Sequence, residues 1–160
     1  MDVDVNRRQN VRGGVSTGFA TLDDYMTIKA GFPLFVAGAP HHGKTQFIKQ
    51  LLVNLSRLHD WKHCIYLGED GSIEDITIEL TEIYTGKPVR HNDDRGREIT
   101  NAIGEADFIN AFNWVNAHFW IVSPDDAEID AFDVNTFYQW VAEYEGREGV
   151  KFNTTVIDPW

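Results

Sequence analysis

Gly38-Ala39-Pro40-His41-His42-Gly43-Lys44-Thr45 fits the pattern G-x-x-x-x-G-K-[ST] at every fixed position. It lies between an apolar run at residues 32–37 and an amphipathic stretch that begins at Lys44. Strand, glycine-bearing loop and helix, in that order, are the context a phosphate-binding P-loop requires. Two glycines let the backbone curl until successive N–H groups point at one anion. Lys44 supplies a mobile ammonium for β- and γ-phosphate oxygens, and Thr45 places a hydroxyl on Mg²⁺ at the positive end of the following helix. The expected cofactors are ATP or another nucleoside triphosphate with Mg²⁺, held by Gly38, Ala39, Pro40, His41, His42, Gly43, Lys44 and Thr45. The loop contacts phosphates and leaves the base unspecified.

Downstream of the loop, Phe47, Leu51, Leu52, Leu55 and Leu58 recur at helical spacing, and His59 with Asp60 ends that helix. Residues 63–68 read as a short buried strand and 69–71 as a turn. Ser72 then caps a helix with Asp75 three residues on, and Ile73, Ile76, Leu80 and Ile83 form its buried stripe. Gly86 and Pro88 stop it. Residues 89–104 read as an exposed charged loop. Ile109, Phe112 and Val115 line the inner face of the next helix, 118–123 is a further strand, and Asp133 caps a helix burying Phe137, Trp140, Val141 and Tyr144. A strand at 152–158 closes the chain. Strands alternating with helices predict an α/β fold with a mainly parallel sheet flanked by helices, whose ligands sit at the carboxyl ends of the strands.

Across 160 residues the formal charge is −11, which argues against a broad basic surface wrapped on duplex DNA, although local basic loops are compatible with it. The single cysteine, Cys64, excludes an intramolecular disulfide and reads as a small buried thiol suited to a reducing compartment. No apolar stretch approaches the ~18 residues of a membrane span, and the polar start is no signal peptide, so a cytoplasmic protein with no membrane partner is expected. Residues 1–12 read as a flexible N-terminal segment and 13–160 as one domain. His59 and His63 lack a third ligand nearby and read as surface and strand-edge residues rather than a zinc site.

Two carboxylates acquire candidate roles. Thr154-Thr155-Val156-Ile157-Asp158 is an apolar-ended strand finishing in a carboxylate, the form of a Mg²⁺-positioning Walker B aspartate. Glu69 follows the strand after the P-loop helix. Its position leaves two readings open: a general base toward the water attacking the γ-phosphate, or an acid at the start of the next helix.

Residues 14–23, Gly14-Val15-Ser16-Thr17-Gly18-Phe19-Ala20-Thr21-Leu22-Asp23, resemble the opening motif of the RecA-like motor domain of DnaB-type replicative helicases. Tyr66-Leu67-Gly68-Glu69-Asp70 resembles the segment that carries that family's catalytic glutamate. Thr85-Gly86-Lys87-Pro88 resembles the end of the helix after it, and Val156-Ile157-Asp158-Pro159-Trp160 the Walker B strand of the Twinkle-like and phage branches. The resemblance covers nearly the whole chain. It implies a RecA-like P-loop NTPase core in which Glu69 is the general base, Lys44 and Thr45 hold phosphate and Mg²⁺, and Asp158 orients the metal. It also implies a homo-hexamer that couples ATP hydrolysis to movement along single-stranded DNA.

The chain departs from the family after Asp158. Sensor strand, DNA-binding loops and arginine finger have no counterpart, so the resemblance implies a domain incomplete at its C-terminus, with a gap in the sheet's middle. An arginine finger is worth about 10³ to 10⁵ in rate, so ATP binding with poor turnover is expected of this chain. Two alternatives to a helicase core stand beside it: a RecA-like nucleotide-binding interaction or regulatory module without turnover, and a small-molecule phosphotransferase, disfavoured because no arginine-rich lid segment is present.

Overall fold

The helix that starts at Lys44 forms because its apolar residues recur on one face and neither glycine nor proline interrupts it. In the computed structural model, which describes residues 13–39, 41–67, 72–93, 95–122 and 133–158, the elements in chain order begin with α1 (Ala20–Asp23) and α2 (Lys44–His59). Next come β1 (His63–Leu67), α3 (Ile73–Thr85), α4 (Glu105–His118) and β2 (Phe119–Val122). The last two are α5 (Val134–Glu148) and β3 (Thr154–Asp158). Asp60 ends α2 in the left-handed conformation, at φ 56°. Ser72 accepts from Asp75 N at the start of α3, Asp133 accepts from Thr136 N at the start of α5, and Gly86 ends α3 at φ 68°, as the capping residues predict.

The three strands form one parallel sheet in the order β2-β1-β3. Strand alternation divides β1 between two layers. Ile65 packs with Leu52 and Val53 of α2, Leu80 of α3, Val115 of α4 and Phe119 of β2. Cys64 and Tyr66 face the other way, onto Val122, Phe137 and Val141. Helices α2, α3 and α4 therefore cover one face of the sheet and α5 the other. This agrees with the expected α/β class.

Polar contacts bind the layers together. Lys49 of α2, itself buried, is ion-paired to Glu79 of α3. His63, fully buried at the start of β1, lies 3.0 Å from Ser56 Oγ of α2 and 2.5 Å from Thr154 Oγ1 of β3. His63 is thus a core residue of the central strand, which corrects its reading as a strand-edge residue.

Other expectations also need correcting. Residues 32–37 form no strand; Phe32 is 66% exposed and Phe35 84%. The run has strand propensity, but a strand exists only through a paired neighbour, and Pro33 offers no N–H to a ladder. On α4 the buried residues are Ala111, Val115 and His118, whereas Ile109 and Phe112 are exposed. Three spaced hydrophobic residues fixed the helix but not its rotation. Ile73 and Leu58 likewise lie on outer faces, 38% and 56% exposed.

Candidate functional site

Helix α2 ends at His59 and β1 begins at His63, with Ser56 and His63 bonded to each other, so α2 runs back along the sheet. Its first turn is therefore directed toward the carboxyl ends of the parallel strands. At that edge Leu67 of β1 and Asp158 of β3 are register partners. The chain leaves β1 toward β2 through helices on one face and returns past β1 to β3 through α5 on the other. This reversal makes the β1/β3 boundary the topological switch point, where α/β sheets bind ligands.

The 38–45 loop leads into an unusual helix start. Gly43 is the N-cap of α2 in the left-handed conformation, φ 76°, and no side chain caps the helix. The first turn carries no acidic residue, in contrast to α3 and α4, whose first turns are acidic. First-turn amides have no intrahelical acceptor, and the helix dipole adds partial positive charge there. His41 also has positive φ, 62°, which bends the loop between Gly38 and Gly43. Lys44 Nζ is 2.9 Å from both Gly38 O and Ala39 O, so the lysine bridges the start of the loop from its far end. An uncapped helix start, a curled backbone and one ammonium make a setting suited to an anion with several oxygens.

Of the residues singled out from the sequence, Gly38, Ala39, His41, His42, Gly43, Lys44 and Thr45 thus lie together in one loop and helix start. Asp158 ends β3 at the sheet edge toward which that start is directed. Glu69 and Pro40 fall outside the described residues. Among the described residues no group of three or more His, Cys, Asp or Glu is gathered to hold a metal. The sequence reading aimed Lys44 at phosphate and missed its bonds to Gly38 and Ala39; the available signal was the spacing, which lets a long side chain at the first helical position reach back over a tight loop.

Cys64, His63 and Glu145 have structural roles. Burial pushes the Cys64 thiol up to about 12, so it is a poor nucleophile, and the expectation of a buried thiol holds. Burial likewise pushes His63 down to about 3, leaving it neutral. Hydrogen bonds from Lys151 and the Phe152 amide hold Glu145 below the usual carboxylate range, where it fastens the turn before β3. A cleft of about 280 Å³ opens between the end of α3 and α4, lined by Tyr84, Lys87, Ile103 and Asp107 among others, and is separate from the loop.

No protein-family model and no solved structure matches the chain. The Twinkle homolog protein, chloroplastic/mitochondrial, of Arabidopsis thaliana is 26% identical to it over 163 residues. That alignment covers 100% of this chain and 22% of the relative, so the chain spans about a fifth of the relative's length. The similarity suggests the helicase family in which Twinkle-like proteins fall. Among the described residues no helix is long and apolar enough to cross a membrane.

Proposed function

We propose that the chain is the nucleotide-binding core of a DnaB-like replicative DNA helicase, a P-loop ATPase that works on single-stranded DNA as part of a homo-hexamer. The observation that carries this reading is the 38–45 loop: a G-x-x-x-x-G-K-[ST] sequence at an uncapped helix start, with Lys44 reaching back to Gly38 and Ala39. The similarity to the Twinkle homolog across the whole chain supports the choice of family.

In this reading the first-turn amides and Lys44 would hold the β- and γ-phosphates, and Thr45 and Asp158 would hold Mg²⁺, which would neutralise charge on the phosphates. Glu69, two residues beyond Leu67 in the chain, takes the proton of the attacking water. The residues fit the ligand on chemical grounds, because the loop offers donors and a cation and no first-turn acid opposes the anion.

Single-turnover hydrolysis of labelled ATP with Mg²⁺, with and without single-stranded DNA, tests the assignment beside Glu69→Gln and Lys44→Ala. The helicase reading expects ATP binding that Lys44→Ala removes and, in the assembled hexamer, DNA-stimulated hydrolysis that Glu69→Gln abolishes. Hydrolysis identical in wild type and Glu69→Gln, with binding retained, defines instead a nucleotide-binding module without turnover. The 32–37 run leading into the loop, which pairs with no strand among the described residues, favours that second reading.

A further inference from the structure

Residues 14–23 grip one side of α2 along most of its length. The Asp23 carboxylate accepts from Ser16 Oγ at 2.5 Å and from Thr17 N and Thr17 Oγ1 at 2.7 Å, folding the segment into a tight turn in which Thr17 is fully buried. That turn presents two carbonyls to α2. His59 Nε2 donates to Ser16 O at 2.9 Å and Asn54 Nδ2 to Thr17 O at 3.1 Å. Gly18, at φ +77°, sits so close to the helix that a Cβ there would lie 2.7 Å from the Asn54 side chain.

Further along, Phe19 stacks on Phe47, their centroids 5.6 Å apart and the planes 21° from parallel. Phe47 is about one helical turn beyond Lys44. Val15, Phe19, Ile28 and Phe47 pack around Leu51, Leu55 and Trp61. The attachment therefore runs from Phe47 to His59, a span of ~18 Å. A helix held at both ends and the middle of one side can neither slide along its axis nor rotate about it. The same segment also anchors the approach to the loop, because Val15 and Ile28 exchange backbone hydrogen bonds of 2.7 and 3.0 Å before the chain runs on to Gly38.

We propose that residues 14–23 are a splint that sets the aim of Lys44 and Thr45, with Asp23, Asn54 and the Phe19–Phe47 stack as positioning residues. This rests on the nucleotide-binding reading above. The ligand is held by atoms at the end of α2, and an error in the helix's axial position moves all of them together. A small displacement at a bound triphosphate is expensive.

Titration of the 160-residue chain with the fluorescent analogue mant-ATP and Mg²⁺, at a temperature where every variant is folded by circular dichroism, tests the splint. Phe19→Ala and Asp23→Asn are each expected to weaken binding about tenfold, while Phe19→Tyr, which keeps the stack, restores it. Val141→Ala, on the opposite face of the sheet, lowers the melting temperature yet holds affinity within about twofold. Binding at full strength by folded Phe19→Ala and Asp23→Asn overturns the proposal. Equal binding by wild type and Lys44→Ala overturns the nucleotide reading instead. The splint is then decided by hydrogen exchange, in which Asp23→Asn must speed the amides of residues 46–49 more than Val141→Ala does; equal rates refute it.

Discussion

Gly18 and Gly43 both hold left-handed backbone, yet a side chain at each meets different surroundings. At Gly43 a Cβ finds nothing within 4 Å, whereas at Gly18 it lies 2.7 Å from Asn54. Backbone strain alone makes Gly43→Ala cost about 1 kcal/mol. Gly18→Ala adds a steric clash and is expected to cost roughly 2 kcal/mol or more, a difference readable in urea unfolding midpoints. Lys44 is the other informative residue. Its Nζ already bridges Gly38 O and Ala39 O, so Lys44→Ala removes the internal tie of the loop together with the cation proposed to hold phosphate. Nucleotide should then raise the melting temperature of wild type and leave that of Lys44→Ala unchanged. The motif itself was legible because each fixed position has a local geometric reason; the reach of Lys44 back to the loop's own carbonyls required coordinates.

At the scale of elements, His63 joins α2, β1 and β3 and should make the fold acid-sensitive. Its value falls from 6.5 to about 3 because burial disfavours the charged ring. The sign follows directly. The folded state holds the ring neutral while the unfolded chain takes a proton below about pH 6.5, so His63's contribution is complete above that pH and is lost as pH falls toward about 3. The loss amounts to a few kcal/mol. His63→Gln should flatten the stability curve across that window, and an unchanged slope between pH 6.5 and 4 would exclude the mechanism. In the layer on the other face, Phe137 is fully buried at the centre of the α5 packing, and Phe137→Ala should cost about 3 to 5 kcal/mol in chemical denaturation. Both ends of α3 and the start of α5 could be read from Ser72, Gly86 and Asp133. The rotation of α4 could not, since Ile109 and Phe112 are more apolar than Ala111 and His118, which are buried in their place.

For the molecule as a whole, a ligand that binds only the folded state at ~100 times its dissociation constant adds about 2.7 kcal/mol. For a domain of this size that corresponds to a rise of roughly 5 to 10 °C in melting temperature with Mg²⁺-ATP, measurable by thermal shift. Hydrogen exchange should be uneven. Amides of residues 34–37 carry no strand pairing and should exchange rapidly, while those of β1, paired on both sides, should exchange only through global opening. The sequence by itself determined the α/β class, the helix that begins at Lys44, the capped ends of α3 and the capped start of α5, because these depend on periodicity and capping within short stretches of chain. Only the tertiary structure decided that β1 is the central strand, that His63 is buried between three elements, that residues 14–23 lie along α2 and that residues 32–37 stay unpaired. Each of those outcomes depends on which distant segment supplies a partner, and pairing between distant segments leaves no local mark on the residues that take part in it.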